Sequence, residues 1–431
     1  MELEAKFDRE LIWSRGKSVR YLGIRVTAPA NGERNHHAAL NLALVVDASG
    51  SMSGEPLHCA IHAAQRVVES LNEEDLLSVV SFASAATDHL VREKMAAPGR
   101  HTAMQALQTI RAHGSTNLSG GWLRGAEHIA VEMEGASPFQ NRVIVLSDGH
   151  ANNGIVEPGK LAQHAKQLAL RGLYSSTVGI GDDYHSETLE AIAVKGGGSH
   201  HRAARPQEII EVVTAELDEI RLTEAENIQI VLRHTTGLEV DSLNEFPLSR
   251  LTEGSICDIG SLAAGASRLA VFAIKFPSGE PGMTCPIEVG LNWRRPGSRD
   301  MQSAAPIMVS AKFANGSDNN AQPYDAALTD EVAQMWQAQI VRRIVRLNRD
   351  GRYGAALKRL SSDIPRFARY AERAVRGSSL VAELHRLEQT ANRDLREGRR
   401  KEIEIAMHKR AYSKPDSRSE QRENWSDNLP D

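Results

Sequence analysis

The stretch that decides the fold is "LALVVDASGSMSGEPL", residues 42–57. An apolar run that begins at Leu40 enters Asp47 and then turns small and polar. A continuous apolar run marks a strand buried on both faces. Helical spacing follows over 55–71, with Leu57, Ile61, Ala64, Val68 and Leu71 recurring on one face. The unit is strand, polar loop, helix, and it repeats. LLSVVSFA (76–83) predicts a second strand and TDHLVR (86–91) a short edge strand. Helices are expected over 101–112 and 118–134, then a buried strand at RVIVLSDG (142–149) and a helix over 158–171. A strand at LYSSTVGIGDD (173–183), a helix over 186–195 and another from Pro206 to about Ile220 complete the series. Alternation at this rhythm predicts an α/β domain over 38–220, doubly wound, with a mostly parallel sheet.

The pattern changes beyond it. From 226 to 313 the strand-like runs NIQIVLRHTTGLEV, CDIGSLAAGASRLAVFAIKF, CPIEVGLNWRR and APIMVSAKF are separated by Gly, Pro and Ser turns, with no helical period between them. This predicts a small antiparallel β-sandwich over 221–315. SVRYLGIRVTAP (18–29), within the N-terminal segment 1–37, also reads as a strand. It is expected to join that sandwich, which makes the α/β domain an insertion. Residues 325–411 carry helical stripes, Val332, Trp336, Ile340, Ile344 and Leu347 in one and Leu380, Leu384, Leu387 and Leu395 in another. These read as packing faces. ANGSD (314–318) reads as a linker. The tail 412–431 has almost no apolar content and is expected to be disordered.

Composition narrows the function classes. The chain of 431 residues has 41% hydrophobic and 25% charged residues and a formal net charge of −4, which argues against a nucleic-acid-binding surface. The charge is uneven: 22 basic and 17 acidic residues lie between 325 and 431, a net of +5 against −9 elsewhere. Three scattered cysteines, Cys59, Cys257 and Cys285, suit neither a disulfide framework nor a zinc cluster. The N-terminus has no apolar signal region, and no window approaches the ~18 apolar residues of a membrane span. The expectation is a soluble, cytoplasmic protein. SRGKS (14–18) is not a phosphate loop, because the motif's first glycine would fall on Leu11.

The chemistry gathers at the strand ends. In an open parallel sheet, functional groups collect beyond the carboxyl ends of the strands. Asp47, Ser49 and Ser51 lie there, and in an extended loop their side chains would point one way. HGSTNLSGG (113–121) brings Thr116 to the same rim and VIVLSDG (143–149) brings Asp148. All five offer oxygen, which selects a hard cation such as Mg²⁺, with Mn²⁺ or Ca²⁺ able to substitute. A competing local reading makes the serines helix caps.

Asp47-x-Ser49-x-Ser51 with Thr116 and Asp148 resembles the metal-ion-dependent adhesion site of von Willebrand factor type A domains, over about residues 38–220. The flanking segments resemble bacterial, calcium-activated-chloride-channel-like and inter-alpha-inhibitor-heavy-chain-like members. The resemblance implies that Ser49, Ser51 and Thr116 reach the metal directly and that Asp47 and Asp148 act mostly through water. An ion so poorly compensated attracts an Asp or Glu carboxylate from a partner protein. The function implied is metal-dependent protein–protein interaction, as a recognition or regulatory subunit of a larger assembly. Similar bacterial domains accompany AAA+ ATPases, kinases and phosphatases.

Two other classes compete. A metal-dependent hydrolase or phosphotransferase needs a base at the ion, and His150, after Asp148-Gly149, is the best placed, with His113 flanking another motif. No phosphate cradle accompanies it, so no catalytic residue is assigned. A passive scaffold would bind through the basic helical region, including REGRRKE (396–402). Asp182 and Asp183 end a further strand at the rim, and His36-His37 precede the first strand. His200-His201, after GGGS, read as part of a tight turn, and Trp122 and Trp336 as core.

Overall fold

The computed structural model describes residues 1–30, 38–133, 139–148, 151–181, 186–235, 237–244, 246–298 and 300–412. His36-His37, His150, Asp182 and Asp183 lie outside the described residues, as does the tail beyond Tyr412. The chain opens with β1 (Glu2–Phe7), β2 (Leu11–Trp13) and β3 (Val19–Thr27). The α/β unit then contributes β4 (Leu40–Asp47), α1 (Glu55–Ser70), β5 (Leu76–Phe82), β6 (Ala86–Lys94), α2 (Ala97–Leu107) and α3 (Leu118–Glu132). It continues with β7 (Gln140–Ser147), α4 (Pro158–Leu170), β8 (Leu173–Ile180), α5 (Ser186–Lys195), β9 (Gly197–Ala203) and α6 (Glu208–Arg221). Strands β10 (Thr223–His234), β11 (Glu239–Ser242), β12 (Leu248–Leu251), β13 (Gly254–Ala263), β14 (Ser267–Lys275), β15 (Thr284–Arg294), β16 (Met301–Ser303) and β17 (Ile307–Ala314) follow. Helices α7 (Gly316–Ala321), α8 (Ala326–Arg349), α9 (Tyr353–Ala371), α10 (Gly377–Thr390) and α11 (Glu397–Tyr412) end the described chain.

The α/β sheet runs β6-β5-β4-β7-β8-β9, parallel throughout except for the antiparallel edge strand β6. Every residue of β4, β7 and β8 is buried, because helices cover both faces. Alternation along β4 divides its side chains between two cores. Leu42, Leu44 and Val46 meet Ala60, Val67 and Val68 of α1 and Val213 of α6. Ala43 and Val45 meet Leu118 and Trp122 of α3 with Leu161 of α4. The architecture is thus doubly wound.

Two sheets make the sandwich, one ordered β1-β3-β14-β11 and the other β12-β13-β10-β15-β17-β2, with β16 on β15. β3 pairs antiparallel with β14 from Thr27↔Ser267 to Val19↔Lys275. The chain therefore leaves the sandwich through β3, builds the α/β unit, and returns through β10. β2 pairs parallel with β17, an exception to the antiparallel pattern. Tyr21 of β3 meets Trp336 of α8 and Tyr370 of α9 at ring-centroid distances of 5.8 and 5.0 Å, which seats the helices on this sheet. The ion pairs Arg349–Glu187 (3.0 Å) and Arg342–Glu190 (3.5 Å) join α8 to α5.

Several elements depart from the sequence reading. α2 starts at Ala97, earlier than the expected 101, with Pro98 in its first turn. Pro-Gly ordinarily signals a turn, but Gly99 is needed here because a Cβ would sit 1.9 Å from the Lys94 carbonyl oxygen. His200 and His201 lie in strand β9, not in a tight turn. Gly198 lets that strand close on β8, since a Cβ would meet the Ser175 carbonyl at 2.3 Å. Pro206 sits in the turn before α6 rather than inside the helix. The supposed linker at 314–318 holds the start of α7, whose cap Asn315 accepts from the Asp318 amide. Trp122 is fully buried, and its indole donates to Ser175 Oγ at 3.0 Å.

Candidate metal centre

β4 ends at Asp47 and the chain enters a 3-10 turn, Gly50–Met52. Met52 is fully buried and anchors that turn. The turn, rather than an extended loop, is what brings the serine hydroxyls together: Ser49 Oγ and Ser51 Oγ are 3.1 Å apart. Gly54 follows at φ +87°, which a side chain would strain, and Pro56 then occupies the first turn of α1.

Asp148 lies one residue past β7, beside β4 in the sheet. Ser51 Oγ donates to its Oδ1 at 2.9 Å. Asp47 Oδ1 accepts from the Ser49 amide at 2.8 Å, and its Oδ2 accepts from Ser147 Oγ at 2.6 Å. One hydrogen-bonded chain therefore runs from Ser147 through Asp47, Ser49 and Ser51 to Asp148. Ser147 was missed by the sequence reading. The available signal was its place beside Asp47, since β4 and β7 pair in register up to Val46↔Leu146.

Thr116 lies on the loop before α3, 4% exposed. That loop is fastened to the serine loop by His113 N to Ala48 O at 2.7 Å and Gly50 N to Gly114 O at 3.1 Å. Gly114 has φ +68°, and a Cβ there would lie 2.6 Å from Ser84 Oγ. The Thr116 amide donates to Asn152 Oδ1 at 2.9 Å, and its carbonyl accepts from the Asn152 and Asn153 amides. Asn117 caps α3 through the Gly120 amide. Gly121 and Gly125 let α3 lie close to the sheet, where Cβ atoms would meet Phe82 at 2.5 Å and Val45 at 2.6 Å. Asn152 was also missed, because nothing in the local pattern ties it to a residue 36 positions earlier.

Asp47, Ser49 and Thr116 are buried, Asp148 is partly buried and Ser51 is exposed, so the group has a dry floor and an open mouth. Burial pushes the Asp148 carboxyl up to about 6, the Ser51 hydrogen bond opposes this, and the Asp47 charge adds to it. Burial likewise raises Asp47, against hydrogen bonds from Ser147 and Ser49. Among the described residues no cationic side chain is paired with either carboxylate or contributes to its shift. Two desolvated carboxylates with converging hydroxyls and no positive partner suit a hard divalent cation.

The family description "von Willebrand factor type A domain" matches residues 41–214. The chain is 31% identical over 197 residues to uncharacterized protein sll0103 of Synechocystis, covering 45% of this chain and 44% of that one. It is 31% identical over 169 residues to rat inter-alpha-trypsin inhibitor heavy chain H3, covering 38% of this chain and 19% of the relative. The chain thus spans less than half the length of these relatives. A von Willebrand factor type A protein from Catenulispora acidiphila superimposes with a TM-score of 0.71 at 16% identity, over 94% of this chain and 96% of that one. The ArnB paralog VWA2 from Sulfolobus acidocaldarius gives 0.60 at 16% identity, over 95% and 98%. At such identity these likenesses speak for the fold, and they extend through the sandwich and the helices. Residues 41–214 of the chain are thus a von Willebrand factor type A domain, set between the sandwich strands.

Proposed function

We propose that the rim of the α/β unit is a metal-dependent docking site for an acidic side chain of a partner protein. The observation that carries this reading is the pair of desolvated carboxylates, Asp47 and Asp148, joined through the Ser49 and Ser51 hydroxyls without a cationic partner among the described residues. Ser49, Ser51 and Thr116 would hold Mg²⁺, with Asp47 and Asp148 orienting hydroxyls and water. Mn²⁺ or Ca²⁺ would fit the same oxygens less selectively. When bound, the ion supplies a positive centre that takes a carboxylate oxygen from outside. Ser147 fixes Asp47, and the Ala48–His113 and Gly50–Gly114 bonds hold the Thr116 loop against it.

On this reading the protein is a recognition or regulatory subunit rather than an enzyme, and its companion belongs to the AAA+ ATPase, kinase or phosphatase class. The three free cysteines are compatible with a reducing compartment, and on this reading the protein works in the cytoplasm. Among the described residues no helix is long and apolar enough to cross a membrane. The test has two arms. Mg²⁺ titration of dialysed protein by calorimetry is expected to show one site that Asp148→Asn weakens. An immobilised Asp/Glu-bearing peptide is expected to retain the protein in Mg²⁺ and release it in chelator, with Ser49→Ala as control. Mg²⁺ heats unchanged by Asp148→Asn would overturn the reading.

A further inference from the structure

A second group of metal-type ligands stands apart from the rim. His201 lies on β9, and Glu216 and Glu219, one turn apart, lie on α6. One ligand atom from each comes within 4.8 Å of the others. His201 Nε2 and Glu216 Oε2 are 2.6 Å apart, and Ser176 Oγ donates to the other Glu216 oxygen. Glu216 is only 3% exposed, so its carboxylate is held from both sides in a desolvated position. Glu219 closes the group from the solvent side.

A cavity of about 110 Å³ lies between the α/β unit and the sandwich, and Glu216 and Glu219 form part of its wall. Arg142 bonds Glu226 and lies over the Tyr174 ring, while Lys166, Lys195 and Arg268 surround Asp258. An independent observation marks the cavity as polar space to be filled. Tyr174 lines it, is 3% exposed, and its hydroxyl has no hydrogen-bond partner among the described residues.

We propose that His201, Glu216 and Glu219 form a second metal site, for Zn²⁺ or a similar borderline cation, with a water from the cavity completing the coordination. One imidazole and two carboxylates are zinc-type donors, whereas Mg²⁺ and Ca²⁺ prefer oxygen alone. Zn²⁺ takes the place of the proton shared between Nε2 and Oε2, and Ser176 orients the Glu216 ligand as outer hydrogen-bond partners do at such sites. The cavity gives the open position a source of water. The ion ties α6 to the edge strand β9, one step before the chain enters the sandwich at Thr223.

The test uses the full chain with Asp148→Asn in the background, so that rim binding does not contribute. Zn²⁺ titration by calorimetry and elemental analysis after dialysis is expected to show one equivalent bound, with a Zn²⁺-dependent rise in Tm. Adding Glu219→Gln, an exposed and mild change, or His201→Ala is expected to weaken Zn²⁺ binding about tenfold or more. Co²⁺ loaded in place of Zn²⁺ should give a visible ligand-field band that Glu219→Gln alters. The proposal is overturned if the Asp148→Asn protein takes up no Zn²⁺, or if uptake is unchanged in both added variants. Mg²⁺ titration of His201→Ala alone is expected to match the wild type, which keeps failure of the rim reading distinguishable from failure of this one.

Discussion

Two aspartates of the α/β unit respond to their surroundings in opposite ways. Asp88, on the edge strand β6, meets the Arg124 guanidinium of α3 at 2.5 Å and His128 Nε2 at 2.8 Å. The Arg124 hydrogen bonds hold its carboxyl down at about 2. Asp148, at the rim, has hydroxyl company and the Asp47 charge nearby, and burial carries it up to about 6. Elsewhere the chain neutralises even a deeply buried carboxylate, as Arg142 does for Glu226, with side chains 5% and 7% exposed. The rim is where that neutralisation is missing from the described residues. The contrast between acids paired internally and two desolvated carboxylates left to hydroxyls is what the proposed metal site rests on.

The comparison is sharpened most by removing one partner from each kind of site. Arg142→Ala strands a buried Glu226 and is expected to cost about 3–5 kcal/mol in urea unfolding. Asp148→Asn, measured in chelator at pH 7, is expected to cost nothing or to stabilise slightly, because it removes an unneutralised charge. A large loss in that variant without metal would break the contrast.

With Mg²⁺ present the ranking at the rim reverses. Asp148→Asn is expected to lower Mg²⁺ affinity tenfold or more, about 1.4 kcal/mol in binding free energy, read by calorimetry. Ser147→Ala removes the hydroxyl that fixes Asp47 Oδ2. Loss of that hydrogen bond is expected to cost about 1 kcal/mol in stability, with a smaller fall in Mg²⁺ affinity.

The gentlest test is pH. Asp148 has a raised carboxyl in the fold, so its contribution to metal-free stability is fully present below about 4 and is lost as pH rises through about 6. Asp88 has a lowered one, so its contribution is present above about 4 and is lost as pH falls through about 2. Urea unfolding of the wild type against Asp148→Asn and Asp88→Asn, from pH 2 to 7 in chelator, should separate the two slopes. Mg²⁺ affinity should rise as pH passes upward through about 6, because proton and metal compete for the same carboxylate.

The residues of the proposed rim site were legible because the first of them sit at a strand end, where the shift from an apolar run to Asp-x-Ser-x-Ser is a local signal. Ser147 and Asn152 were not, because their roles depend on which strand and which loop lie beside them. Glu216 escaped notice for the same reason: its partners His201 and Ser176 come from two other elements. The GGGS run read as a tight turn, but in the fold Gly198 is the absence of a Cβ where the Ser175 carbonyl comes close, as Gly99 is beside the Lys94 carbonyl.

What the sequence determined alone was periodicity and local chemistry. The buried strands, the helical stripes and the oxygen donors at the first strand's end follow from residue types at fixed spacing. Tertiary structure alone decided which carboxylates find a cation. Asp88 and Glu226 meet their arginines 36 and 84 residues away, whereas Asp47 and Asp148 meet hydroxyls. The physical reason is that a carboxylate's state is set by the charges and the water within a few ångströms of it. Those neighbours are assigned by chain topology, which no local spacing encodes.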